Sequence, residues 1–171
     1  ESFGFAEGFR LERLRRPEGG AKPEKVPGLV RPMGADDLAA AAALDEEACG
    51  IDRSDLLRML YEKTREYAFA AFDSGGNLSG FCLGKRSGTG DRMGPIVARG
   101  DETARALAAA VRGAAGGRAM VIDIPPDRPA WKEWLGANGF IHLKENVRMT
   151  LGEGLREKPE FAYAATGASF G

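Results

Sequence analysis

The sequence predicts an α/β domain built on one mixed, mostly antiparallel twisted sheet flanked by helices, and three observations predict it. Segments that alternate apolar with polar, or run apolar, recur at residues 5–15, 29–33, 67–86, 92–98, 119–125 and 140–152. Stretches with helical periodicity, capping residues and terminal glycines lie between them, at 35–49, 54–63, 101–115 and 128–139. From residue 28 the order is β-α-α-β-β-β-α-β-α-β-β, in which hairpins make antiparallel pairs and helical crossovers impose parallel ones.

Residues 5–15 set Phe9 and Leu11 against Arg10, Glu12 and Arg13, the alternation of a half-buried strand. RRPEGGAKPEKVPG then reads as an exposed linker, because its three prolines, three glycines and charges have nothing to bury. LVRPM is a short strand, and ADDLAAAAALDEEAC is a helix with Asp36 or Asp37 at its start. Gly50 breaks that helix, Ser54 is placed to cap the next, and Leu56, Leu57, Leu60 and Tyr61 form its apolar face.

YAFAAFD-SGGN-LSGFCLGKR is a hairpin, two apolar runs around a turn whose glycines supply positive φ. RMGPIVA is the next strand, with a bulge expected at Gly94-Pro95. DETARALAAAVRGAA is a helix with Asp101 as N-cap, ending at Gly116-Gly117. AMVIDIP is apolar enough to be buried on both faces in parallel pairing. RPAWKEWLGANG is a short helix with Pro129 in its first turn, FIHLKENVRMTLG returns as a strand, and FAYAATGASFG ends the chain as a last strand.

Composition narrows the function. A chain of 171 residues with 43% hydrophobic content buries one good core. The 24 Lys and Arg nearly cancel the 25 Asp and Glu, so no global field draws the chain to nucleic acid or a membrane surface. No run of about 18 apolar residues is present to span a bilayer. Cys49, Cys82 and the single histidine, His142, lack metal-ligand spacing, so no metal is expected. The cysteine usage suits a reduced, cytoplasmic setting, with Cys82 a buried strand residue.

In GPIVARGDETARAL a strand runs into Arg99-Gly100 and directly into a helix, whose free amides and dipole suit a pyrophosphate. The segment resembles the acyl-CoA loop of the GNAT superfamily of N-acyltransferases, R/Q-x-x-G-x-G/A with a leucine three residues on. Arg99, Ala104 and Leu107 match; Glu102 stands where the middle glycine is expected. The order of hairpin, bulged strand, loop helix, parallel strand, short helix ending in Gly139-Phe140 and closing strand is also similar, over about residues 28–151. GIDRSDLL, RSGTGDRMGPIVA and the closing VRM look like a group in which such a domain is the second of two. Gly4, Phe5, Arg13 and Leu14 are echoed at one constant offset by Gly139, Phe140, Arg148 and Met149. The resemblance therefore implies that residues 1–16 are the tail of a preceding GNAT-like domain, 17–27 a linker and 28–171 a GNAT-like domain.

The resemblance implies acetyl-CoA-dependent N-acetyl transfer, direct, to a small amine or amino-group metabolite. It implies that Ile96, Val97 and Ala98 hold the pantetheine through their backbone, and that Arg99, Gly100, Asp101, Glu102, Thr103 and Ala104 hold the pyrophosphate. Glu102 leaves two readings open: turned outward, where it suits the helix dipole, or a sign that the loop binds nothing. The family's thiolate-protonating tyrosine falls at Leu135, so that acid is missing. Asp123, near the carboxyl end of a central strand, is the candidate base if burial raises its pKa; alternatively it bonds loop amides. Glu47, Asp52 and Arg53 lie where the family lines its acceptor pocket, an acidic mouth or a solvated surface. His142 is expected on a solvent face. Against the enzyme stands a non-catalytic partner domain that supports or lines the pocket of a first copy, or dimerises as a homo-oligomer.

Overall fold

The computed structural model describes residues 5–19, 29–151 and 158–166. Its strands are β1 (Phe5–Arg16), β2 (Leu29–Pro32), β3 (Phe69–Phe72), β4 (Leu78–Lys85), β5 (Asp91–Ala98), β6 (Met120–Ile124), β7 (Ile141–Leu151) and β8 (Ala162–Ala164). The helices are α1 (Leu38–Cys49), α2 (Ser54–Lys63), α3 (Asp101–Ala114) and α4 (Pro129–Ala137). One sheet runs β2-β3-β4-β5-β6-β1-β7, with β8 added on β5. Among the described residues only β5 and β6 pair in parallel, after the α3 crossover.

β1 is an interior strand, antiparallel to β6 on one side and β7 on the other. Residues 5–16, expected to be a tail, are thus hydrogen-bonded into the middle of this sheet. Residues 20–27 of the expected linker lie outside the described residues, as do residue 28 and residues 167–171 of the last predicted strand.

The sheet separates two cores. On one face α3 and α4 cover Leu14, Ile96, Met120, Ile122 and Ile124. On the other, α1 and α2 cover Ala68, Ala70, Phe81, Leu83 and Val97. Leu57, Leu60 and Tyr61 carry the buried face of α2, as their spacing predicts. Burial of such side chains contributes roughly 1.5–3 kcal/mol each.

Local chemistry refines several boundaries. Ser54 is the first residue of α2 rather than its cap, and the Asp52 carboxylate accepts its backbone N–H at 2.8 Å. Asp101 likewise opens α3, with Gly100 as the N-cap. Asp73 closes the hairpin by accepting the N–H groups of Gly75 and Asn77, and only Gly76 of the pair adopts positive φ, at 82°. The bulge predicted at Gly94-Pro95 is present: Cys82 pairs Ile96 and Gly84 pairs Met93, which leaves one extra residue in β5. Gly94 has φ 136°, and an added Cβ would collide with the Ala165 carbonyl oxygen, so both the backbone and the space there call for glycine.

Candidate functional site

β5 and β6 pair only from Asp91 to Met93 and Met120 to Ile122. Beyond that point the gap between them holds the chain's own C-terminal segment. Ile96 pairs with Ala164 and Val97 with Ala162, antiparallel. The Ala165 N–H donates to the Asp123 carbonyl at 2.9 Å, which ties the same segment to β6.

Side chains anchor this segment along its length. Lys158 donates its N–H to the Ala48 carbonyl and its ammonium to Glu47, at 2.9 and 2.7 Å. Phe161 lies under the Arg99 guanidinium, 5.1 Å from ring centre to cation. Tyr163 is 2% exposed. Its hydroxyl donates to Asp101 at 2.6 Å, its carbonyl accepts from the Trp131 indole at 3.0 Å, and its ring meets Trp131 edge-on and Arg128 face-on. Burial and the bond to Asp101 push the Tyr163 hydroxyl up to about 12, so it remains a donor at every ordinary pH.

The loop expected to hold pyrophosphate stands at the start of α3. Arg99 leans onto Glu47 at 2.6 Å. Asp101 faces Tyr163, Arg105 and Arg128. Glu102 is exposed in the first turn, Thr103 is half-buried with its methyl against Gly80, and Ala104 is fully buried beneath the turn. Gly100 has extended backbone with open space where a Cβ would sit.

Asp123 is fully buried, and sequence reasoning missed its partners. Arg13 forks onto it at 2.7 and 2.9 Å, and Arg92 adds a third bond at 2.6 Å. Burial raises its pKa, but the two guanidiniums outweigh burial and hold the carboxyl below its ordinary value. The raised pKa expected of a general base is therefore not found, for an electrostatic reason. Arg13 and Arg92 were readable only as alternating strand residues; that they meet is a matter of register, Arg13 lying opposite Asp123.

The residues expected to line an acceptor pocket are engaged as well. Glu47 is held low by Lys158 and then Arg99. Asp52 is held low by the Ser54 amide. Arg53 forks onto the buried Asp45 at 2.8 Å through two nitrogens and reaches Thr166 at 3.4 Å. Leu135, in place of the family's tyrosine, is completely buried in the core of α4. Cys82 is fully buried with its thiol pushed up by desolvation, which suits packing and not nucleophilic attack. His142 is exposed on β7.

A bulged strand leading into a loop and helix, beside a strand that parts from it, is the central feature of this mixed α/β domain. Residues 41–164 match the family model for the acetyltransferase (GNAT) domain, and the chain belongs to the GNAT acetyltransferase family. Solved structures share the fold. A Pyrococcus horikoshii protein assigned as an acetyltransferase is 23% identical with a TM-score of 0.71, over 99% of this chain and 54% of its own. A GCN5-related N-acetyltransferase from Sphaerobacter thermophilus is 20% identical with a TM-score of 0.59, over 84% of this chain and 51% of its own. A GNAT-family protein from Novosphingobium aromaticivorans is 16% identical with a TM-score of 0.59, over 85% and 66%. The chain thus spans about half the length of the first two. No curated protein sequence matches it. Among the described residues no helix is long and apolar enough to cross a membrane.

The residues present do not accommodate a pantetheine arm in this arrangement. The edge of β5 at Ile96 and Val97, which such an arm would pair with, is taken by β8.

Proposed function

We propose that the chain serves an acyl-CoA-dependent N-acyltransferase as a GNAT-like half that does not hold the thioester itself. The observation that carries this reading is β8 lying along Ile96 and Val97. Backbone pairing, a buried Tyr163 and the Lys158 ion pair would all have to be given up for an acyl-CoA to enter. Three further features support it. Leu135 cannot protonate a thiolate, Asp123 is neutralised by two arginines, and Arg99 is committed to Glu47.

In this reading acetyl-CoA is the co-substrate of a companion GNAT-like copy, and the acceptor is a small amine or amino-group metabolite. This half buttresses that copy or lines its acceptor pocket. The echo of Gly4, Phe5, Arg13 and Leu14 in Gly139, Phe140, Arg148 and Met149, and solved relatives about twice as long, support a two-copy protein.

The strand-to-helix turn favours a second reading. Arg99, Ala104 and Leu107 keep the family's pattern at the start of α3, so this copy would transfer the acyl group itself once β8 had left. Calorimetric titration of acetyl-CoA into the chain separates the two, with Tyr163→Ala beside it to loosen β8. The supporting-half reading expects no saturable binding by the unmutated chain. Micromolar binding by that chain would sink it and install the second reading.

A further inference from the structure

The face of the sheet that carries α1 and α2 changes character beyond β5. Under the helices it is apolar, with Phe81, Leu83 and Val97 buried. Toward the start of β5 and across β6 and β1 it is cationic. There a cavity of about 530 Å³ is lined by Arg13, Arg15, Lys85, Arg86, Arg92, Ser87, Thr89 and Gly90, with Val121 and Leu143 as an apolar wall. Among the described residues five cations line it and no carboxylate does. Among the described residues, the carboxylates that reach those cations are Asp123, beneath Arg13 and Arg92, and Glu66, on Arg86 at 3.1 Å. Five positive charges against two negative ones leave an excess of three. Arg15 and Lys85 have no partner among the described residues.

That excess stands out in a chain whose total charge is −1. Arg15 is on β1 and Lys85 on β4, so the unmatched charge comes from separate strands on either side of β5 and β6. A single carboxylate would leave most of it uncompensated; a phosphate or pyrophosphate group brings two or more charges and matches the fork of a guanidinium. Ser87 and Thr89, whose hydroxyls lie 3.4 Å apart, add neutral donors at the turn. Leu143 is 51% exposed, an apolar surface for the organic part of a ligand.

We infer that this cavity binds a small molecule carrying a phosphate or pyrophosphate group, held by Arg15, Lys85 and Arg86 and the hydroxyls of Ser87 and Thr89. The site is separate from the β8-filled gap, and the inference does not rest on which GNAT copy is catalytic.

Calorimetric titration of sodium pyrophosphate into the chain at constant ionic strength tests it, with citrate as a non-phosphate polyanion. One saturable site is expected, weakened about tenfold or more by Arg15→Glu and by Lys85→Glu. Arg58→Glu, which reverses an exposed charge on α2, should stay within about twofold. Pyrophosphate heats no larger than those of matched chloride would overturn the inference. So would citrate binding as tightly as pyrophosphate, or an Arg58→Glu loss as large as that of Lys85→Glu. Thermal unfolding of each variant confirms that it is folded, and these exposed positions leave the core intact.

Discussion

The two ends of the β5–β6 pair are opposites. Where the strands part, toward their carboxyl ends, the gap is filled by backbone, and the charges that flank it are paired: Arg99 and Lys158 on Glu47, Arg128 and Arg105 beside Asp101, Arg53 on Asp45. Where they begin, the sheet is open and cations outnumber carboxylates. The family resemblance points to the first end as the ligand site. The distribution of unmatched charge points to the second. A motif reports what a loop descends from, whereas occupancy and charge balance report what can enter it now.

Asp123 joins the two ends, since its carbonyl accepts from Ala165 and its carboxylate balances Arg13 and Arg92. Asp123→Asn therefore sharpens the comparison most. It strands two partly buried guanidiniums, so unfolding in urea should show a loss of about 3 kcal/mol. The same change should tighten pyrophosphate binding, because one more positive charge faces the cavity. A stability loss with unchanged or weaker pyrophosphate binding would break the link between the two ends.

Asp91 gives the next effect. Buried under the Ser87–Gly90 turn, it accepts from Arg118, Tyr67 and the Ser87 amide; burial alone would raise its pKa, but these bonds outweigh it and bring it to about 2. With a pKa near 3.9 in the unfolded chain, its stabilisation is whole above that pH and is lost as pH falls toward 2. The contribution is on the order of 2 kcal/mol. Urea unfolding between pH 2 and 5 should show a slope that Asp91→Asn reduces; an identical slope in that variant would place the acid sensitivity elsewhere.

Glu102→Gln should matter least. The side chain is exposed, so thermal unfolding should change by about 0.5 kcal/mol or less. If this variant alone gained acetyl-CoA binding, the filled end would be limited by loop charge and not by β8.

Much of the fold was legible from local pattern. The SGGN hairpin, the bulge at Gly94-Pro95, the apolar face of α2 and the order of helices and strands each follow from a few neighbouring residues, because turn chemistry and amphipathic period are short-range. The GNAT loop was legible too, as Arg99-Gly100 running into a helix. Long-range pairing decided the rest. Nothing near Phe5–Arg16 says that this strand lies between β6 and β7, and nothing in FAYAAT says that it closes the gap beside Ile96. Asp123 was found as a strand-end carboxylate, but its pKa depended on Arg13, far away in sequence and brought opposite by register. Sequence by itself determined the elements, the family and the residues available for chemistry. Only the tertiary structure decided which cations meet which carboxylates and which strand covers the edge of β5 at Ile96 and Val97, because each is set by strands that meet across the sheet and not along the chain.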